Sequence, residues 1–482
     1  MTAGVSTVCS SPHHPLCAAL RRPLRTLRTG LSLLLASAAS AQDLGIKAPP
    51  QAAPITIYNA AIHTVSGPTF AKGFITFDKG IITEIGEGDP SIPAANTEAS
   101  KGFIDAKGAH VYPGLVAANT QLGLAEIAAV RASNDITEVG GITPEARAAT
   151  AVNPDSTLLP VTRSNGVLLA AVFPEGGRVP GRVSVMRLDG WTWEEMAVAP
   201  DAGLAIEWPQ ARPITARWMD RPESEQLDEI RRSQEQVEDL FRAAKAYVAL
   251  KSADPATPTD LRYDAMRGVL SGQRPVFISA GDIDQISAAI AFCERHALKM
   301  VLVGGRDAPL CADLLKSRDI PVIITGTHAF PKRADSPYDD AFTLPSRLAA
   351  GGVRFCIASA DRTAHERNLP YNAATAVAYG LEYDVALKSV TLWPAQILGI
   401  DKPAAAGEGR IPAHAGYGSL EAGRSATLIL TTGDPLEVTT TITGAYIDGR
   451  KIDLGNKQSV LAEKYREKYH QQVPPPAPAP KP

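Results

Sequence analysis

The chain has 482 residues, of which 45% are hydrophobic and 21% charged, a globular balance with ample material for a large core. Its formal charge of −3 leaves no basic footprint for nucleic acid or an anionic membrane surface. Length alone allows several domains, but one α/β barrel absorbs about 250 residues.

Residues 1–41 read as a signal peptide. Arg21, Arg22, Arg25 and Arg28 occur there without any acid, followed by the apolar run Leu31-Ser32-Leu33-Leu34-Leu35-Ala36 and the small-residue pattern Ala39-Ser40-Ala41. The run is too short for a permanent membrane span. The expectation is an exported protein, periplasmic or secreted, with no membrane attachment after cleavage. Cys9 and Cys17 leave with the leader. Cys293, Cys311 and Cys356 remain, an odd and widely spaced set that reads as small buried hydrophobes rather than a disulfide framework.

Residues 42–53 are rich in Ala, Pro and Gln and read as a linker. Residues 54–110 read as β-structure. Ile55 to Tyr58 alternates as a strand, and Gly73–Phe77 and Ile81–Ile85 are joined by Asp78-Lys79-Gly80 as a hairpin. From residue 111 short apolar runs alternate with helical patterns, the mark of βαβ units. Val111–Ala117, Gly166–Phe173 and Val183–Leu188 are expected strands, and 222–251 is a long charged helix with a solvated face. Four strand–helix units then follow: Pro275–Ile278 with 282–297, Lys299–Val303 with 308–318, Ile320–Ile324 with 341–350, and Val353–Ile357 with 371–381. These strands are apolar on both faces, as barrel strands covered by helices must be. Ala426–Leu430 and Thr441–Ile447 return to β-structure; 456–471 reads as a helix and 472–482 as a disordered proline-rich tail. The expected fold class is α/β: a TIM-type (β/α)8 barrel over 111–417, and a small β-sandwich built from 54–110 and 418–455.

Four stretches resemble the amidohydrolase superfamily, in its imidazolonepropionase-like and prolidase-like branch. Ile57-Tyr58-Asn59-Ala60 with Gly80–Gly86 is similar to the family's opening sandwich strands, and Val111–Ala118 to its entry into barrel strand 1. Leu392-Trp393-Pro394-Ala395-Gln396-Ile397-Leu398-Gly399-Ile400 is similar to its closing helix motif, and Gly418–Arg424 with Asp434-Pro435-Leu436 to its return to the sandwich. The resemblance implies metal-assisted hydrolysis at the C-terminal ends of the barrel strands. The family pattern is His-x-His on strand 1, one His each on strands 5 and 6, and an Asp on strand 8, holding zinc or a similar divalent ion. Here the strand 1 positions hold Asn119 and Gln121, strand 5 is matched by Ser279 and strand 6 by Gly304. Amides and hydroxyls are weak ligands for such metals. Only Asp361 matches a ligand position, and one carboxylate cannot hold a catalytic zinc. No metal cofactor is therefore expected.

Three groups remain at the expected mouth: His328 past strand 7, and Asp361 and His365 past strand 8. Together they form a candidate catalytic cluster, a general base with its orienting partners. Asn119, Gln121 and Ser279 are candidates for hydrogen bonds to a polar ligand. Arg131, Glu138 and Arg147 are expected to line the cleft or to form structural ion pairs, and Trp191 and Trp193 to form an aromatic wall or to pack. Phosphate-binding, nucleophile-elbow, Cys-x-x-Cys and His-Glu-x-x-His motifs are missing. Two readings follow. In one, the chain hydrolyses C–N bonds at an altered site. In the other, it is a non-catalytic barrel that binds a small polar ligand or an active relative, as a homo- or hetero-oligomer.

Overall fold

The computed structural model describes residues 43, 45–94, 97, 99–215, 218–359, 363–407 and 411–472. Residues 1–41, where a signal peptide is expected, Asp361 and residues 473–482 of the expected tail lie outside the described residues. The chain divides into two compact units, Met1–Asp43 and Leu44–Pro482. Everything below concerns the second.

Two eight-stranded sheets organise that unit. The first contains β1 (Ile55–His63), β2 (Thr69–Asp78), β3 (Ile81–Glu87), β4 (Phe103–Asp105) and β5 (His110–Pro113) from the early chain, and β14 (Leu428–Thr431), β15 (Ile442–Ile447) and β16 (Arg450–Lys451) from the late chain. Its order is β16-β15-β14-β5-β1-β2-β3, with β4 beside β1. The expected hairpin is present. Lys79 and Gly80 have φ of 50° and 81°, so both central residues of the turn are left-handed and suit the twist of β2 and β3. The two distant segments join where β5 pairs antiparallel with β14, Val111 opposite Leu430. One face buries Ile57, Ile62, Ile75, Phe77 and Leu428; the other buries Tyr112, Ile429 and Ile447 with Leu168 and Leu387 of the barrel. The 42–53 segment does not behave as a free linker. Lys47 and Ala48 are buried, Lys47 Nζ donating to Pro154 O at 2.9 Å and the Ala48 N–H to Asp189 at 3.2 Å.

The second sheet is the barrel. Its strands are β6 (Leu115–Thr120), β7 (Val167–Val172), β8 (Gly181–Arg187), β9 (Ala197–Glu207), β10 (Val276–Ala280), β11 (Met300–Gly304), β12 (Val322–Thr325) and β13 (Phe355–Ala358), neighbours in chain order. The barrel is nearly closed. At the seam the Val116 N–H of β6 donates to Val390 O. The helices include α1 (Glu223–Ala253), α2 (Ile283–His296), α3 (Ala312–Ser317), α4 (Asp340–Ala350) and α5 (Leu369–Ala378), while α6 (Lys457–Gln472) lies exposed at the end of the described chain. None of the described helices is long and apolar enough to cross a membrane.

One strand departs from the all-parallel expectation. β8 runs antiparallel to both β7 and β9. The cause is the turn Pro174-Glu175-Gly176-Gly177, in which Gly176 and Gly177 take φ of 91° and 75° and send the chain straight back instead of into a crossover helix. A Cβ on Gly177 would stand 2.4 Å from Gly141 O, so the turn and the loop packed on it require glycine. No crossover helix joins β7 to β8, and the outer wall there is packed by Ala148, Ala149 and Leu159 from two short helical turns and by Val237, Phe241 and Ala244 of α1.

Side-chain alternation fills the lumen. Val116 and Ala118, Leu169 and Ala171, Val183 and Val185, Ala205, Phe277, Val301 and Val303, Ile323, Cys356 and Ala358 point inward. Ala395, Ile397, Leu398 and Ile400 of the closing motif plug the lower end together with Tyr417. Each fully buried Val, Leu, Ile or Phe among them contributes roughly 1.5–3 kcal/mol.

Because β8 is reversed, its C-terminal end delivers charges to the lower end, against the first sheet. Arg187, 1% exposed, pairs with Asp448 and donates to Ala197 O; Tyr417 and Ser425 also donate to Asp448. Asp189 accepts from Arg163 at 3.2 Å and from Arg450 at 3.0 Å. Burial works against ionisation of Asp448, yet Arg187 and the hydroxyl donors hold its carboxyl below the usual range. This network joins the β15–β16 turn to the barrel.

Candidate active site

The mouth is the end where the parallel strands finish. Inward alternation carries Ala205 to Glu207 on β9 and Phe277 to Ser279 on β10. Beneath them Phe173 and Phe277 meet edge-to-face, centroids 5.3 Å apart, and close the lumen as a floor. Above that floor Ser279 Oγ donates to Glu207 Oε1 at 2.8 Å. Across the mouth Gln121 Nε2 donates to Glu175 Oε1 at 2.7 Å. Glu175 sits in the β7–β8 turn, its N–H held by Ile136 O at 2.8 Å. It keeps an exposed flank, but its walls and the neighbouring Glu207 carboxylate together push its carboxyl above the ordinary value. The mouth thus holds two neighbouring carboxylates, an amide and a hydroxyl.

Of the residues selected from sequence, Gln121 and Ser279 come into this one patch, each through a glutamate that sequence reasoning missed. Asn119 lies on β6, half-buried, and Gly304 ends β11. His328 is exposed past β12 and bonds through Nε2 to Thr375 Oγ1 of α5 at 2.7 Å. His365 is exposed in the 3-10 turn Thr363–Asn368, and Asp361 lies outside the described residues. The hydrogen bond recorded for the His328 ring thus leads to α5. Arg131, Glu138 and Arg147 share a cavity beside the mouth with Arg182 and Glu145. Trp191 and Trp193 sit in the β8–β9 connection at the opposite end, which removes the aromatic-wall reading; Trp191 is exposed and Trp193 packs on the core. Cys293 and Cys356 are buried and Cys311 half-buried, and burial raises all three thiols, which disfavours the thiolate that a nucleophile needs.

No family model matches the chain. It is 24% identical over 419 residues to Amidohydrolase tasK of Hapsidospora irregularis, an alignment covering 78% of this chain and 39% of that protein. The chain therefore spans about two fifths of the length of the curated relative it matches. Among solved structures, an amidohydrolase from Thermotoga maritima MSB8 superposes with a TM-score of 0.70 at 23% identity, over 83% of this chain and 99% of the other. The chain has the amidohydrolase fold.

In an amidohydrolase fold the mouth is where the family's divalent ion would sit. Among the described residues no three His, Cys, Asp or Glu side chains gather to hold one. The oxygens of Glu175, Glu207, Gln121 and Ser279 form a hard-donor set already linked by internal hydrogen bonds, and it does not fit a catalytic zinc, whose three protein ligands include imidazole or thiolate beside any carboxylate.

Proposed function

We propose that the chain belongs to the amidohydrolase reaction class, hydrolysing the C–N bond of a small polar substrate at a mouth that has lost the usual metal site. The observation that supports this is the convergence of Glu175 and Glu207 above the Phe173–Phe277 floor, with the Glu175 carboxyl raised beside an acidic neighbour. A neighbouring pair of carboxyls can divide general acid and general base work: one takes a proton from water and the other gives a proton to the leaving nitrogen. Gln121 and Ser279 orient the pair. Export through the 1–41 leader belongs to the same proposal.

The test is turnover by the purified mature chain, checked for metal content, on a panel of dipeptides and cyclic amides. Activity is expected to survive chelation, and Glu207→Gln and Glu175→Gln are each expected to lower kcat by about 10²–10⁴-fold. Zinc at full occupancy with chelator-sensitive turnover would overturn the metal-free part. A second reading is a barrel without chemistry that binds a polar ligand or an active partner. It is favoured by the lack, among the described residues, of three His, Cys, Asp or Glu side chains gathered to hold an ion. Binding at the mouth with no turnover across the panel would select it.

A further inference from the structure

A second concavity lies behind the β7–β8 turn. It has a volume of about 490 Å³, within the usual range for small-molecule sites. One wall is the turn itself, at Pro174 and Pro180, and the other is the loop that follows β6. Its charged lining is balanced: Arg131, Arg147 and Arg182 share it with Asp135, Glu138 and Glu145. Leu124, Val139 and Ala151 add apolar surface to the same lining.

The internal bonding of these groups is incomplete. Arg182 reaches Asp201 at 3.3 Å and Glu145 O at 2.8 Å, but its Nε is buried without a hydrogen-bond partner, as is Glu145 Oε2. Buried donors and acceptors are seldom left unmade, since each costs about 1–3 kcal/mol. A buried donor and a buried acceptor left over among the residues of one lining that carries both charge signs and apolar side chains suit a guest that carries both signs.

We propose that this cavity is a binding site for a small zwitterion, an α-amino acid with an apolar side chain. Its carboxylate faces the arginines, its ammonium faces Glu145, and its side chain lies on Leu124 and Val139. Glu145 and Arg182 shift slightly to complete their bonds when the guest enters. The site is linked to the mouth through backbone. Ile136 and Thr137 line the cavity, and Ile136 O holds the Glu175 N–H while Thr137 pairs with Glu175 as a β-bridge. Occupancy therefore braces the turn that carries Glu175, whether or not the mouth is catalytic.

The experiment is calorimetric titration of the full chain with L-leucine, and with 4-methylpentanoate and 3-methylbutylamine, which lack the ammonium and the carboxylate respectively. Leucine is expected to bind at least about tenfold more tightly than either analogue, the factor that one lost charge-assisted hydrogen bond supplies. Glu145→Gln is expected to weaken leucine by a similar factor. Thr150→Trp, which fills the cavity from an exposed lining position, is expected to abolish binding while circular dichroism stays unchanged. Hydrogen exchange with leucine present is expected to slow at 136–147 and 174–182. No binding of leucine, equal binding of all three compounds, or leucine binding untouched by Thr150→Trp would each overturn the assignment. Because these readouts need no turnover, they separate this site from the chemistry proposed for the mouth.

Discussion

At the scale of single residues, the ionisable groups are set by what surrounds them rather than by their type. His63 lies beside His110, ring nitrogens 3.0 Å apart, stacked on Tyr112. Burial first, and then the His110 charge, push its pKa down to about 4, against weaker opposing pulls from Asp434 and Asp384. His414 is pushed down to about 4 by burial and by Arg187, with Asp448 opposing; its Nδ1 accepts the Gly416 N–H, which fixes a neutral ring. In the unfolded chain both histidines titrate near 6.5. Between pH 6.5 and 4 the unfolded state therefore binds more protons than the folded one, so stability rises with pH across that window. Both contributions are complete above pH 6.5 and are lost as pH falls towards 4. The melting temperature is expected to be lower at pH 4.5 than at pH 7.5, and a His63→Phe, His414→Phe double variant should show a smaller difference between the two.

At the scale of elements, the decisive feature is the β7–β8 turn. Gly177→Ala places a methyl group against Gly141 O and forces a non-glycine residue into a left-handed conformation. The expected cost is about 1–3 kcal/mol, read as a lower urea midpoint with an unchanged slope. The four strand–helix units from β10 to β13 were legible in the sequence because apolar strands and periodic helices alternate there without interruption. The reversal of β8 was not legible from its apolar content, since a strand buried on both faces reads the same in either direction. Its only trace is the Gly176-Gly177 pair, which suits a turn but does not say what the next strand pairs with. At the site, a search for imidazole at strand ends found Asn119, Gln121 and Ser279 and passed over Glu175 and Glu207. Alternation contained the missing signal. Counting inward from Ala205 reaches Glu207 just as counting from Phe277 reaches Ser279. Glu175 had no such guide, because its position depends on the turn.

At the scale of the whole molecule, two pieces of sequence more than 300 residues apart must meet before the first sheet exists, and that sheet must then dock on the barrel. The docking contact is polar. Asp448→Asn would leave the Arg187 guanidinium almost wholly enclosed beside a neutral amide. The expected loss is about 3 kcal/mol, the low end for a broken buried pair because Asp448 keeps an accessible edge. Thermal unfolding should fall accordingly, with the two sheets separating in steps if this contact governs their cooperation.

The reversed strand has a consequence for how the chain is assembled. β7, β8 and β9 meet through short connections, whereas β10 to β13 each wait for an intervening helix, and 68 residues including α1 divide the two sets. A meander of neighbours closes small loops and organises early; serial crossovers close large ones and organise late. Loop size thus predicts that the ribbon bearing both glutamates organises before the parallel arc bearing Ser279, the partner of Glu207.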